Sequence, residues 1–350
     1  MNSADMSEIN GLIRRIIPNK RYGKIRFKEK DYFFKFVTKE MVGREQQGSR
    51  FISKFYHTPE LVYTSTEDGF LLYKYEETIS VNEGLLIDLF NSSDFSAIRV
   101  APVLSMYSRV FGQTLRRATG SACDLYFKDR VASRLPFFYD TAFRDTERRF
   151  DFNGENFTLS VGSLLHEIEQ FFLNNREHWC VASQCDPGDL NIGIKPVLLD
   201  CTGGGFNPLA AELAVLFWYQ IAQTGYFSPT YHPTAYAEHD QTFSNLDLTE
   251  LHSDDAVTHH PSYHRINFLE LYFASVVLPL EDRVGSINDL YEDFRIFLAM
   301  RVLSVFNIST MSQKDLLISL GYLTMLSDSQ VDRPRSFLEL LERLKTYAQS

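Results

Sequence analysis

Residues 184–201 read QCDPGDLNIGIKPVLLDC, and the spacing of three polar residues in this stretch indicates both fold and chemistry. Asp186 precedes Asn191 by five residues, and an apolar run then ends at Asp200. This spacing predicts a loop that leads into a short β-hairpin with an oxygen-bearing side chain at each end. Mg²⁺ prefers hard oxygen donors and takes only one or two from a protein, a role that suits Asn191 and Asp200. Asp186 is then placed to accept a proton from an attacking hydroxyl.

The quoted stretch lies between two strong helix patterns. Residues 162–175, GSLLHEIEQFFLNN, place their apolar side chains at helical spacing. Residues 207–222, NPLAAELAVLFWYQIA, begin with Pro208 near a helix start and are apolar almost all round, which predicts a buried helix. Two further helices are predicted over residues 286–306 and 336–348.

The first eighty residues instead show the alternation and the turn residues that are typical of strands. The predicted strands are GLIRRIIP (11–18), GKIRFKEKD (23–31), YFFKFVTK (32–39), LVYTST (61–66) and GFLLYKYEE (69–77). Residues 40–56 are predicted as the one helix among them. The pattern therefore predicts an α+β chain in which residues 1–77 form a small antiparallel sheet with one helix and residues 78–350 form a larger, mainly helical part.

Length and composition are those of a globular protein. At 350 residues, the chain is long enough for one large or two modest domains. Residues 1–10 predict neither a secretion signal nor a transit peptide, and the longest apolar stretch, residues 268–280, is interrupted by Glu270 and too short to span a bilayer. Four cysteines without a CxxC pair are typical of reduced thiols. We therefore expect a cytoplasmic protein.

The charge balance disfavours two classes of partner. The formal net charge is -10 and the sequence pI is ≈ 5.4. Phosphate backbones and anionic membrane surfaces repel such a chain. Binding of an acidic chain would also release no counterions from them, so a main source of affinity is missing. We expect neither nucleic acid nor a membrane among the partners, and the sequence leaves the oligomeric state open.

The quoted stretch resembles the catalytic core of the aminoglycoside phosphotransferase and choline kinase family, the small-molecule branch of the protein-kinase-like fold. The family pattern is HGDxxxxN followed by a strand and an aspartate, and this chain has QCDPGDLN followed by VLLD. Residues 203–214, GGGFNPLAAELA, are similar to the family's GDPxxDLA, with Asn207 and Glu212 at the acidic positions. The resemblance covers roughly residues 10–220. It implies a two-lobed fold and an ATP- and Mg²⁺-dependent kinase that acts on a hydroxyl of a small molecule.

The resemblance also implies roles for individual residues. Asp186 would orient or deprotonate the acceptor hydroxyl, while Asn191 and Asp200 would hold Mg²⁺. In YFFKFV, Lys35 stands on the third predicted strand, where such kinases place the lysine that contacts the nucleotide phosphates. Glu45 in the following helix is its implied ion-pair partner.

Residues 71–77, LLYKYEE, resemble the strand and hinge that join the two lobes, where backbone groups would hold adenine. Tyr73 and Tyr75 are the candidate nucleotide-binding residues of this segment.

Simpler alternatives stay open for the lysine, its partner and the loop residues. Lys35 could be an exposed lysine on an edge strand, although its aromatic neighbours favour an inward-facing side chain. Glu40 lies on the same helical segment as Glu45 and could take its place. The polar residues of 184–201 could merely satisfy turns, a common use of Asp and Asn.

Several departures from the family pattern bear on activity. Gln184 and Cys185 replace the family's His and Gly, and the short interval from Asn191 to Asp200 predicts a clipped hairpin. Gly188 stands where protein kinases carry a catalytic-loop lysine, and no GxGxxG loop is present near the amino terminus. A catalytically inactive nucleotide- or partner-binding protein is therefore the alternative to a kinase, and a kinase for protein or lipid hydroxyls is a third hypothesis.

Residues 226–264 are rich in His, Asp, Pro and Tyr. Their histidine spacings match no ordinary zinc-ligand pattern, which favours a loop over the substrate cleft. The acidic residues of this segment would favour a cationic acceptor, such as an amine or an amino sugar, and a solvated acidic insertion is the alternative. Within the motifs, Asp189 is interpreted as a solvated loop acid and Glu212 as an anchor of the catalytic loop.

Overall fold

The computed structural model describes Phe127, Val131 and residues 3–16, 21–79, 84–119, 147–174, 176–222, 256–304, 313–327 and 333–349. An amino-terminal four-stranded sheet with helices is followed by a larger part in which helices dominate. This arrangement confirms the α+β class expected from the sequence.

The amino-terminal sheet is antiparallel throughout. Helix α1 (Ser3–Ile16) precedes the strands β1 (Tyr22–Phe27) and β2 (Lys30–Phe36), and helix α2 (Lys39–Ile52) leads to β3 (Leu61–Ser65) and β4 (Phe70–Lys74). The order across the sheet is β1-β2-β4-β3. These bounds confirm the four strands predicted after residue 20 and the helix between them, which ends four residues earlier than predicted.

The prediction for the amino-terminal segment was wrong. Residues 11–18 were expected to form a strand, but the described part of this range belongs to α1. Ile9 and Ile13, one helical turn apart, are fully buried against Tyr32 and Phe34 of the sheet. This burial outweighs the β-propensity of isoleucine. The sheet therefore begins at β1, so that β2 is the second strand and not the third.

Strand β2 shows the alternation that orients Lys35. Tyr32 and Phe34 pack on the face that α1 covers, whereas Phe33 packs on the opposite face with Val42 of α2. Because alternate side chains of a strand point to opposite faces, Lys35 lies on the α2 face. Its side chain is 24% exposed.

Helices of the larger part pack around one extended hydrophobic core. They are α3 (Leu86–Phe90), α4 (Ala97–Thr114), α5 (Val161–Leu173), α6 (Leu209–Ala222), α7 (Tyr263–Tyr272), α8 (Glu281–Val284), α9 (Ile287–Ser304), α10 (Gln313–Thr324) and α11 (Phe337–Gln349). A π-helical turn, Phe273–Val277, and a 3-10 turn, Leu278–Leu280, join α7 to α8. The helices predicted in this part are confirmed as α5, α6, α9 and α11, and α6 is buried on nearly all sides, as expected. In the part of the chain that the structure describes, no helix is long and apolar enough to cross a membrane.

Apart from the expected hairpin, the short strands of this part were not predicted. They are β5 (Arg116–Thr119), β6 (Glu147–Phe152), β7 (Glu155–Ser160), β8 (Glu177–Ser183), β9 (Ile192–Gly193), β10 (Val197–Leu198), β11 (Gly205–Pro208) and β12 (Ala256–Val257). Two three-stranded sheets have the orders β11-β8-β5 and β12-β6-β7, while β9 and β10 pair with each other. Strand β8 leads directly into the segment of residues 184–201. Its second half is buried without alternation, a pattern that periodicity cannot distinguish from a buried helix.

Candidate active site

A short hairpin carries the two predicted metal ligands to the same end. Strands β9 and β10 pair antiparallel, with Leu198 opposite Ile192. The N–H of Leu199 donates to the carbonyl of Asn191 at 2.8 Å. Asn191 and Asp200 therefore flank the open end of the hairpin, which confirms the loop and hairpin predicted from their spacing.

Asp186 lies at the start of the loop and is held by Asn191. The Nδ2 of Asn191 donates to the carbonyl of Asp186 at 3.1 Å and to its Oδ2 at 3.2 Å. The Nε2 of Gln184 donates to the same carbonyl at 2.9 Å. Because the amide nitrogen of Asn191 is used on Asp186, its amide oxygen is the atom that can ligate a metal.

Two residues of the site adopt the left-handed backbone conformation that favours glycine. Cys185 has a φ of 68° and Asp200 a φ of 51°. A side chain in this region costs about 1–3 kcal/mol and persists only where the surroundings enforce it. Cys185 stands where the family pattern has glycine, so this loop keeps a glycine-like conformation at the expense of strain. Gly203 leaves room for the Cys185 side chain, because a Cβ at position 203 would lie 2.6 Å from the Cβ of Cys185.

Lys35 links the sheet to the hairpin. Its Nζ lies 2.7 Å from Oδ2 of Asp200 and 3.8 Å from Oε2 of Glu45. Burial opposes the ionisation of Asp200, but the charge and the hydrogen bond of Lys35 outweigh it and lower the pKa of Asp200 below its usual range. The Asp200 side chain is still 38% exposed, so burial has a limited effect on its pKa. The contact with Lys35 is therefore the stronger effect, and the pKa falls. Lys35 is thus placed inside the site and not on an exposed edge.

Glu45 joins helix α2 to the segment that follows the hairpin. Its side chain is 2% exposed. The N–H of Cys201 donates to Oε1 at 3.1 Å, and the hydroxyl of Thr202 donates to Oε2. Burial raises the pKa of Glu45, and the charge of Asp200 adds to this effect, while Lys35 opposes it. The carboxyl group of Glu45 therefore contacts Lys35 of the sheet as well as Cys201 and Thr202, which follow the hairpin.

Glu40, the alternative partner for Lys35, lies elsewhere. It forms an ion pair with Arg44 at 2.9 Å, and its side chain is largely exposed. The structure therefore places Glu45, and not Glu40, beside Lys35.

The two hinge tyrosines have different environments. Tyr73 is buried on the α2 face, where burial and the neighbouring charge of Glu45 raise the pKa of its phenol. The N–H of Tyr75 donates to the carbonyl of Asp31 at 3.1 Å, and its hydroxyl donates to the carbonyl of Ile79 at 2.9 Å. Because the N–H of Tyr75 already donates to Asp31 of β2, an adenine bound here would need other backbone groups of residues 71–77.

Asn191 and Asp200 fit a magnesium site that has few protein ligands. The described residues contain no group of three or more His, Cys, Asp or Glu that could hold a metal ion. Two oxygen donors beside a lysine suit Mg²⁺, which takes most of its ligands from water and phosphate. The Oγ1 of Thr202 also lies 2.8 Å from Oδ1 of Asp200, and a carboxylate has lone pairs left for a metal. When bound, Mg²⁺ would offset phosphate charge.

The structure corrects the interpretation of Asp189 as a solvated loop acid. Asp189 is fully buried, and its Oδ2 lies 2.6 Å from Nη1 of Arg265 in α7. The same nitrogen donates to Oε1 of Gln220 at 3.2 Å. The loop after Asp186 turns inward against α6 and α7, and a carboxylate buried there requires a cation. Asp189 therefore fixes the loop to the helical core.

Arg301 is a site residue that sequence reasoning did not identify. Its Nη2 on α9 lies 3.3 Å from Oδ1 of Asp186, and its guanidinium lies 5.3 Å from the ring centre of Tyr219. A signal was present in the sequence, because an arginine inside the apolar run FLAMRVL needs a partner when it is buried.

Asn207 links the chain segments on either side of the loop and hairpin, and Glu212 is a buried acid of the following helix. The Nδ2 of Asn207 donates to the carbonyls of Ser183 and Gly203 at 3.0 and 2.9 Å, which ties together the segments before and after the hairpin. Glu212 on α6 is fully buried. Burial raises the pKa of Glu212 to about 8, and the charge of Asp186 adds to the shift, whereas the Ser183 hydroxyl opposes it.

We expect Glu212→Gln to flatten the pH dependence of stability. The pKa of Glu212 is raised from an ordinary 4.5 to about 8, so its contribution to stability is fully present below pH 4.5 and is lost as the pH rises through about 8. Glutamine keeps the shape and removes the titration. The variant should therefore gain about 2–4 kcal/mol relative to wild type as the pH rises from about 5 to about 8. Thermal melts across this range measure the effect, and parallel curves of Tm against pH would contradict it.

The described histidines of the 226–264 segment have packing roles. Residues 226–255 of the predicted cleft loop lie outside the described part of the chain. The Nδ1 of His259 is 2.8 Å from the hydroxyl of Tyr322. The backbone N–H of His259 donates to Oδ1 of Asn153 at 2.7 Å. The Nδ1 of His260 lies 2.9 Å from the carbonyl of Tyr347.

No protein-family model matches the chain, and no curated protein matches it. Several solved structures are similar to it. A choline/ethanolamine kinase family protein from Mesorhizobium loti is 12% identical and aligns over 97% of this chain and 99% of its own, with a TM-score of 0.47. Choline kinase LicA from Streptococcus pneumoniae is 11% identical over 99% of both chains, with a TM-score of 0.42.

A third similar structure is a thermostable mutant of aminoglycoside phosphotransferase APH(4)-Ia in a ternary complex with AMP-PNP and hygromycin B. It is 10% identical over 93% of this chain and 100% of its own, with a TM-score of 0.48. These proteins are of the kinds that the motif resembles. At such identities and TM-scores the likeness carries no inference about activity, which has to rest on the geometry of the site.

Proposed function

We propose that this chain is an ATP- and Mg²⁺-dependent phosphotransferase that acts on a hydroxyl group of a small molecule. One observation carries the proposal: Lys35 contacts Asp200 at one end of the hairpin, and Asn191 at the other end contacts Asp186. Lys35 and Asp200 are separated by 165 positions yet form a 2.7 Å ion pair, and Asn191 contacts Asp186. An aspartate that only satisfied a turn would not form an ion pair with so distant a lysine.

Each member of this cluster has a chemical role in the proposal. Lys35, steadied by Glu45, would contact the nucleotide phosphates, and Asn191 and Asp200 would hold Mg²⁺. Asp186, whose carboxylate the Asn191 amide orients, would accept the proton of the acceptor hydroxyl. Phosphoryl transfer depends mainly on positioning and charge stabilisation, with a general base contributing about 10²- to 10⁴-fold.

For the acceptor, we propose a cationic small molecule such as an amine or an amino sugar. The acidic residues of the 226–264 segment and the net charge of -10 would attract it. We also propose a cytoplasmic location, which four cysteines without a CxxC pair support.

A catalytically inactive nucleotide-binding protein is the second candidate. The observation that favours it is the strained Cys185, which together with Gln184 replaces the family's His and Gly. Both candidates predict ATP binding. Slow Mg²⁺-dependent hydrolysis of ATP, or transfer to an acceptor, is predicted by the kinase alone.

Calorimetric titration of ATP, with and without Mg²⁺, tests the nucleotide site. We expect Mg²⁺-dependent binding that Asp200→Asn weakens at least about tenfold, because the amide loses the charge that attracts the metal. Asp94→Asn is a matched control, since Asp94 is an exposed acid on the surface with Arg99 as its partner at 3.4 Å, and it should bind as wild type does. A wild type that binds no ATP under either condition would remove the proposal.

A further inference from the structure

Arg301 is a cation buried in the apolar surface of helix α9. Its neighbours Met300, Val302 and Leu303 are all buried, and Arg301 itself is only 5% exposed. Burying a guanidinium is costly unless it is paired, so this position must have a use that offsets the cost.

The partner of Arg301 is the proposed base. Its Nη2 lies 3.3 Å from Oδ1 of Asp186, while the Nδ2 of Asn191 donates to Oδ2 at 3.2 Å. The two carboxylate oxygens are thus held by nitrogens from two different elements, α9 and the hairpin. Two such contacts define both the position and the plane of the carboxylate.

The loop that carries Asp186 has no room for a cationic side chain of its own at Gly188. A Cβ at Gly188, two residues after Asp186, would lie 2.9 Å from Cζ of Tyr219 and 3.0 Å from another ring atom. The ring of Tyr219 therefore fills the space that a side chain at this position would enter. The guanidinium of Arg301 lies 5.3 Å from the centre of the same ring and reaches Asp186 from α9.

Arg301 also differs from the other buried arginine of its helix. Arg295 donates through Nε to Glu292 and through Nη1 to Glu167 and to the carbonyl of Leu326, as expected of a structural arginine. The Nε of Arg301 is buried and has no hydrogen-bond partner among the described residues. The hydrogen bond of Arg301 in the described part of the chain goes to Asp186 of the loop and not to another helix.

We infer that Arg301 is the positioning residue of the catalytic aspartate, and that it supplies from helix α9 the positive charge that the catalytic loop lacks. The inference rests on the proposed function. Arg301 holds the Asp186 carboxylate in the orientation that accepts the proton of the acceptor hydroxyl. It therefore acts on turnover and not on the binding of nucleotide.

Single-turnover hydrolysis of ATP with Mg²⁺, calorimetric ATP affinity and Tm test this role in wild type, Arg301→Gln, Arg301→Lys and Arg295→Gln. Arg301→Gln should be about 10²-fold slower, because a small displacement of a catalytic group has an effect of this size. Its Kd for ATP should stay within about threefold of wild type. Arg301→Lys should be about tenfold faster than Arg301→Gln, because lysine keeps the positive charge but lacks the planar guanidinium. Arg295→Gln should lower Tm and leave the rate unchanged at temperatures where it stays folded.

Distinct outcomes separate this inference from the proposed function. A wild type that neither binds nor hydrolyses ATP overturns both. A wild type that hydrolyses ATP, beside an Arg301→Gln variant of equal rate, overturns the role of Arg301 alone. A rate loss that Arg301→Lys does not recover, with a fall in Tm like that of Arg295→Gln, shows that Arg301 is only structural.

Discussion

Asp186→Asn should lower turnover of ATP by about 10²- to 10⁴-fold, because an amide cannot accept the proton of the attacking group. Its affinity for ATP with Mg²⁺ should stay within about threefold of wild type, since Lys35 and Asp200 form the proposed nucleotide and metal contacts. Asparagine matches the shape of the carboxylate and can still accept the Nδ2 donor of Asn191. Single-turnover kinetics and calorimetry on the same preparations measure the two quantities.

Asp293→Asn is the matched control for this variant. Asp293 on α9 also forms an ion pair with an arginine, Arg176 at 2.6 Å, and its second carboxylate oxygen lies 3.2 Å from Nδ1 of His178 on β8. Its loss should leave turnover unchanged. Near-normal turnover in Asp186→Asn would exclude Asp186 as the base, and a parallel loss of ATP affinity would assign it a structural role in the loop.

The catalytic loop was predictable from the sequence because its geometry is local. Asn191 and Asp200 flank a short hairpin whose two-residue strands are joined by a three-residue turn, so their spacing alone predicts that they lie at the same end of it. Lys35 faces the site because a strand alternates, which is also a local rule. Its contact with Asp200, by contrast, was inferred from the family resemblance.

The features that sequence reasoning missed depend on distant partners. Asp189 looks like any loop acid until Arg265 of α7 packs on it. The apolar run around Arg301 indicates a buried arginine, but only the structure shows that Asp186 is its partner. The first helix is similar, since the isoleucines of α1 suit a strand or a helix equally and only the sheet face that they cover decides between them.

Gly48→Ala should force helix α2 away from the segment that follows the hairpin. A Cβ at Gly48 would lie 1.7 Å from the carbonyl oxygen of Cys201 and 2.9 Å from its carbon. Gly204 packs against Gly48 from the same segment, where a Cβ would lie 2.7 Å from the Gly48 carbonyl oxygen. All of these are backbone atoms, so no side-chain rotation relieves the overlap and the helix itself must move. Glu45, one turn earlier on α2, would then lose the N–H of Cys201.

We expect Gly48→Ala to lose about 3 kcal/mol of stability or more, which is the upper range for overpacking against rigid neighbours. ATP affinity should fall at least about tenfold, because Glu45 no longer steadies Lys35 beside Asp200. Gly43→Ala in the same helix is the control, since a Cβ there has nothing within 4 Å and should stabilise the chain by about 0.5–1 kcal/mol. Urea unfolding and ATP calorimetry on both variants measure these effects. If Gly48→Ala instead matched Gly43→Ala in both, the nucleotide site would not depend on the close approach of α2, and the contacts of Glu45 would be incidental to ATP binding.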